Sequence, residues 1–113
     1  MKVKISSLSK SVEFKSLING KKINNKYLTI FFKKLSGKSN KFLNISFVAQ
    51  KKIGNAVKRN KIKRRLRNIM NDAIKTINMN LNYSYLFIAK KNIYNAEYKI
   101  IKNSIFNDLT KVR

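Results

Sequence analysis

Histidine, cysteine, proline and tryptophan are absent from the 113 residues, and only four carboxylates accompany 27 lysines and arginines. Without Cys or His the chain has no disulfide, no thiolate nucleophile, no zinc-ligand set and no imidazole base, and cysteine usage gives no reading of compartment. Without proline there is no Pro-rich linker. The acids Glu13, Asp72, Glu97 and Asp108 are spread over three predicted helices, whereas an acid/base pair or a metal site needs such groups to converge. Glu13 is better explained by the first turn of its helix, where the dipole favours a carboxylate. No run approaches the roughly 18 apolar residues of a membrane span, and Met1 to Lys10 lacks the apolar stretch of a signal peptide. The expectation is a soluble cytoplasmic protein with no membrane partner.

What is present is hydrophobic content and positive charge. Hydrophobic residues make up 43% of the chain, enough for one modest core, so a single domain is expected rather than full disorder. The formal charge is +23, and residues 14 to 71 contain no Asp or Glu. Such a field calls for a polyanionic partner. The wealth of Lys, Asn and Ile is also what an AT-rich genome gives, but drift of that kind explains neither the scarcity of acids nor the clustering of arginine. Four of the five arginines, Arg59, Arg64, Arg65 and Arg67, lie between Gly54 and Met70. The planar, five-donor guanidinium suits phosphate, so nucleic acid is the expected partner and a polybasic membrane-surface protein the competing reading.

Residues 1–8 read as a short basic tail ahead of a domain spanning 9–113. Val12, Phe14, Leu17 and Ile18 suggest a short helix stopped by Gly20. Tyr27 to Lys33 alternates as a strand, residues 33–41 read as a loop, and Phe42 to Ala49 alternates again. These two strands are expected to pair antiparallel. Tyr83 to Ala89 is a near-continuous apolar run, suited to a strand buried on both faces. Tyr94, Tyr98, Ile101, Ile105 and Leu109 form a narrow helical stripe, with Asn95 as a possible cap.

Between the second strand and the apolar run lies the arginine-dense helix, capped by Gly54-Asn55. Ile62, Leu66, Ile69, Met70, Ala73, Ile74 and Ile77 recur at helical spacing and face a core. At about 100° per residue, Asn60, Lys63, Arg64 and Arg67 share a sector away from that stripe, with Arg59 at its border. Lys58, Arg59 and Lys61 sit in the first turns, where cations oppose the helix dipole by roughly 0.3 to 1 kcal/mol each at low salt. A docked phosphate reverses that conflict, because helix-start N–H groups and these side chains together bind an anion. Phe14, Tyr27 and Phe31 offer ring faces of the kind on which unstacked bases lie, although their periodicity favours core packing.

The run Lys51-Lys52-Ile53-Gly54-Asn55-Ala56-Val57-Lys58-Arg59-Asn60-Lys61-Ile62-Lys63-Arg64-Arg65-Leu66-Arg67 resembles the signature of the bacterial ribonuclease P protein family: a Lys-Lys-aliphatic-Gly lead-in, an Arg-Asn-Arg core and an Arg-rich helix. Supporting matches are Leu8 through Phe14 to Gly20, the aromatic strand Tyr27 to Phe31, and Tyr83 to Lys90 followed by the last helix. The resemblance implies an α+β αβββαβα sandwich with a small mixed sheet, a left-handed β-α-β crossover and a short strand near Lys21 to Asn24. It implies a protein subunit that binds the catalytic RNA subunit and the 5′ leader of precursor tRNA while that RNA, with its Mg²⁺ ions, cleaves; no second protein is expected to be required. Carried over by position, Arg59, Asn60, Lys63, Arg64 and Arg67 would contact the RNA subunit, with Lys51, Lys52, Lys58 and Lys61 beside them. Phe14, Ile18 and Phe31 would line the leader cleft. Lys61 departs from the family's second arginine, keeping the charge but losing the bidentate fork, and Ile18 stands where an aromatic is frequent. A small basic ribosomal or other structural RNA-binding protein is the alternative.

Overall fold

The computed structural model describes residues 4–8, 11–35, 37–38, 41–77 and 79–112. Among these residues, five strands and three α-helices follow one another as β1 (Lys4–Ser7), α1 (Ser11–Ile18), β2 (Lys21–Asn24), β3 (Leu28–Lys33), β4 (Phe42–Val48), α2 (Ala56–Thr76), β5 (Ser84–Ala89) and α3 (Tyr98–Leu109). The sheet order is β1-β4-β5-β3-β2. Pairing is parallel for β1 with β4 and β4 with β5, and antiparallel for β2 with β3 and β3 with β5. The result is the expected small α+β domain with a mixed sheet, and the short strand expected near Lys21 to Asn24 is β2.

The central place of β5 follows from its composition. Ser-Tyr-Leu-Phe-Ile-Ala is buried at every position but Ile88, which is half-buried, and a strand covered on both faces belongs in the middle of a sheet. This corrects the expected hairpin of β3 with β4: both flank β5, and neither pairs with the other. Parallel neighbours need a crossover connection, and α2 supplies it between β4 and β5. A second correction concerns the expected basic tail. Residues 4–7 pair with β4 from Lys4 opposite Phe42 to Ser7 opposite Ile45, Ile5 packs against the main core and Leu8 is buried. Four residues are too few for alternation to separate an edge strand from a tail.

The two faces of the sheet differ in how tightly they are closed. On one face Ile30, Phe87 and Phe47 lie in register across β3, β5 and β4, and the Phe47 and Phe87 rings meet edge to face at 5.7 Å. Helices α2 and α3 cover this face through Ile62, Leu66, Ile69, Met70, Ala73, Ile101, Ile105 and Leu109, all buried. Each of these isoleucine, leucine and methionine side chains contributes about 1.5 to 3 kcal/mol on burial, and Ala73 less. The other face carries Phe31, Leu86, Val48 and Ile88 and, among the described residues, is covered by one helix, α1, through Leu17 and Phe14, with Leu8 and Leu35 beside them. There Leu17 and Leu86 are buried, while Phe14, Phe31, Val48 and Ile88 are half-buried. Two turns of helix are too little cover for five strands, and a partly open surface remains.

The last helix starts later than its stripe suggested. Its N-cap is Glu97, not Asn95, and Tyr94 ends a separate 3-10 turn at Lys91–Ile93. Among the described residues no helix is long and apolar enough to cross a membrane.

Candidate RNA interface

Helix α2 is the most highly charged element and is firmly anchored. Asn55 caps it, its Oδ1 accepting from the Lys58 backbone N–H at 3.0 Å, and its first turn contains no acid. The helix ends where Ile77 turns extended. With the core side fixed by Ile62, Leu66, Ile69, Met70 and Ala73, Asn60, Arg64 and Arg67 stand exposed on the outside. Arg59 and Lys63 are half-buried beside them. The Arg67 guanidinium carbon lies 5.9 Å from the centre of the Phe47 ring, which leans that flank on β4. Arg59 Nε is buried without a hydrogen-bond partner among the described residues. On the remaining flank, Lys58 and Lys61 reach over the ring of Tyr94.

Three of the four carboxylates, Glu13, Asp72 and Asp108, are engaged elsewhere as structural ties. Glu13 pairs with Lys38 at the start of α1. Asp72 accepts from Lys102 at 3.0 Å and links α2 to α3. Asp108 is buried, accepts from Asn25 Nδ2 at 2.7 Å and lies 3.7 Å from Lys111. Among the described residues no group of three or more His, Cys, Asp or Glu could hold a metal ion. Within the core, burial, aided by the neighbouring Tyr83, raises the Tyr85 phenol well above the ordinary tyrosine range.

A second basic cluster arises from strand topology. Because β4 and β5 are parallel neighbours, their C-terminal ends lie side by side, and each strand leaves the sheet through a 3-10 turn, Lys51–Ile53 and Lys91–Ile93. Ile53 and Ile93 are buried as anchors, whereas Lys51, Lys52 and Lys91 are exposed. Between the turns lies a cavity of about 340 Å³ lined by Thr29, Gln50, Lys52, Ile88, Ala89, Lys90 and Lys91. The ends of parallel strands are a common place for ligands. Ile88 also belongs to the α1-side cluster with Phe14 and Phe31, so the cavity continues that half-open face.

The structure therefore brings Phe14 and Phe31 together under α1, while Ile18, one turn beyond Phe14, is 51% exposed and stands outside that cluster. Lys90, Lys91 and Thr29 carry no site expectation from sequence, Tyr94 only a place in a helical stripe, and Arg65 only membership of the arginine cluster. Two of them had a visible signal: Lys90-Lys91-Asn92-Ile93 repeats the pattern of Gln50-Lys51-Lys52-Ile53 directly after an apolar strand.

The sequence matches the family described as Ribonuclease P over residues 3–113. It is 30% identical over 114 residues to the ribonuclease P protein component of Caldanaerobacter subterraneus subsp. tengcongensis, covering 98% of this chain and 92% of the relative. With that of Fusobacterium nucleatum it shares 36% identity over 106 residues, covering 89% and 91%. The chain belongs to the ribonuclease P protein family. The fold agrees with that of solved members: the Thermotoga maritima ribonuclease P protein superposes with a TM-score of 0.80 at 20% identity, over 96% of this chain and 98% of that one. The Staphylococcus aureus protein does so with a TM-score of 0.76 at 24% identity, over 93% and 92%. As a ribonuclease P protein the chain is a subunit of a ribonuclease acting in tRNA 5′-end processing. The ribosomal alternative finds no support in these matches.

Proposed function

We propose that this ribonuclease P protein binds the catalytic RNA subunit through α2 and holds the 5′ leader of precursor tRNA against the half-open face of the sheet, acting in the bacterial cytoplasm. Arg59, Asn60, Lys63, Arg64 and Arg67 contact the RNA backbone, with Lys51, Lys52, Lys58 and Lys61 extending the basic surface. Phe14 and Phe31 line the leader cleft, and Ile18 forms its rim. The observation that carries the reading is the contrast within α2: five buried apolar anchors on one side and Asn60, Arg64 and Arg67 exposed on the other. A stripe fixed in this way presents guanidinium forks to phosphates without first ordering a loop.

In this reading the chain supplies no catalytic group. Glu13, Asp72 and Asp108 are tied to Lys38, Lys102 and Lys111, and among the described residues no three acids, Glu97 included, gather where they could hold a metal, so these residues do not fit a Mg²⁺ site. The metal that cleavage needs is assigned to the RNA subunit, which performs the endonucleolytic hydrolysis. The protein's part is to screen phosphate repulsion and to orient the leader.

Reconstitution tests this directly. Purified protein added to the cognate RNA subunit at low Mg²⁺ should restore removal of the 5′ leader from precursor tRNA. The protein alone should cleave nothing; leader cleavage by the RNA-free chain would assign the chemistry to the polypeptide and overturn the reading.

A further inference from the structure

Three cations on one flank of α2 converge on a single residue. Lys58 Nζ lies 5.1 Å and Lys61 Nζ 5.8 Å from the centroid of the Tyr94 ring, and Arg65 Nη1 donates to the Tyr94 carbonyl oxygen at 3.4 Å. Spacings of three and four residues bring the three side chains onto one helix flank. That flank is distinct from the one on which Arg67 lies over Phe47. Tyr94 itself is half-buried, packs against the main core and directly follows the buried anchor Ile93.

Two further observations point outward from this arrangement. Among the described residues no carboxylate pairs with Lys58, Lys61 or Arg65, so three like charges are held near one another without an ion pair among those residues. The backbone at Gly54 also makes room for the geometry. A Cβ there would come within 2.8 Å of Lys58 Cδ and 3.3 Å of Lys58 Cβ, so the Lys58 side chain runs along a surface that glycine leaves bare. An electron-rich ring face orients ammonium groups but leaves most of their charge free for an incoming anion.

We propose that Tyr94 is a positioning residue that gathers Lys58, Lys61 and Arg65 into a second phosphodiester-binding surface on α2, apart from the outward stripe of Asn60, Arg64 and Arg67. The inference rests on the reading that α2 docks RNA. Its ligand is the RNA backbone, supplied either by the RNA subunit or by precursor tRNA.

The test uses the full-length protein and two binding arms over a salt series: affinity for the RNA subunit alone, and affinity of the assembled holoenzyme for precursor tRNA. The pair Lys58→Gln, Lys61→Gln should weaken one arm and lower its slope of log K against log salt by about 1 to 2; the arm that responds names the source. Tyr94→Leu should weaken the same arm by about threefold or more, while Tyr94→Phe, which keeps the ring, stays within about twofold of the parent. Added to the lysine pair, Tyr94→Leu should cost little more. An unchanged slope in both arms for the lysine pair overturns the proposal, as does equal loss for Tyr94→Leu and Tyr94→Phe, or full additivity with the lysines. If Tyr94→Leu does not fold, Gly54→Ala replaces it: displacing Lys58 should weaken the same arm, and an unchanged affinity overturns the proposal. Arg64→Ala separates the two levels. If it weakens assembly while the lysine pair does not, only the second surface fails; if neither does, docking through α2 fails as well.

Discussion

Asn25 donates from Nδ2 to the buried Asp108 carboxylate at 2.7 Å, tying the turn between β2 and β3 to the last helix. The same asparagine accepts from the backbone N–H groups of Tyr27 and Leu28 through Oδ1, at 2.7 and 2.9 Å, and its carbonyl accepts from Lys90 Nζ at 2.6 Å. One residue thus fixes the turn, the position of α3 and a lysine of the basic cavity.

Replacing Asp108 with Ala leaves the Asn25 amide without its acceptor in a poorly solvated place. A buried donor left unmet costs about 1 to 3 kcal/mol, so Asp108→Ala should lower unfolding free energy by that amount in urea titrations. A loss below about 0.5 kcal/mol, the level of an ordinary surface substitution, would show that the tie carries no weight.

Tyr85 sets an alkaline limit. Its phenol is fully buried, donates to the Asn80 carbonyl oxygen at 2.7 Å and has its pKa raised by burial and then by Tyr83. In the unfolded chain it titrates near about 10. The folded pKa is the higher one, so this contribution is complete below about pH 10 and is lost as pH rises further, while the unfolded state alone ionises. Tyr85→Phe should cost about 1 kcal/mol near neutrality and show a shallower decline of stability above about pH 10 in parallel urea titrations. Parallel declines would contradict the assignment.

The charge predicts opposite salt dependences. With a net +23 and no acid from residue 14 to 71, the free protein repels itself, so its Tm should rise with added salt. RNA affinity should fall over the same range through counterion release. Thermal scans and filter binding over one salt series check both; a Tm that falls with salt would mean that attractive pairs outweigh the repulsion.

Much of this architecture was legible because α2 is long and strictly periodic, with Asn55 at its cap, and because the apolar run of β5 marks a central strand. Pairing was less legible. Strands β3 and β4 are consecutive and joined by a loop, which suits a hairpin, and nothing local to either reveals that β5 enters between them. The parallel neighbours that result bring Lys52 and Lys91 to one cavity, a convergence of residues far apart in sequence. Tyr94 was misread because its four-residue step to Tyr98 imitates a helical stripe, although a 3-10 turn and the Glu97 cap intervene. Ile18 kept its helical spacing from Phe14, but the shortness of α1 leaves it exposed at the end of the helix.

The central claim is that the outward side of α2 docks the RNA subunit, and equilibrium binding of that RNA to the chain and to its Arg64→Ala, Arg67→Ala variant tests it most directly. Both side chains are exposed, so the variant should keep the parent's Tm to within a few degrees, the scale on which about 1 kcal/mol registers in a domain of this size. Affinity should fall by about tenfold or more, and the slope of log K against log salt should shrink by about 1 to 2, because each arginine neutralises about one phosphate. Unchanged affinity and an unchanged slope would contradict the account.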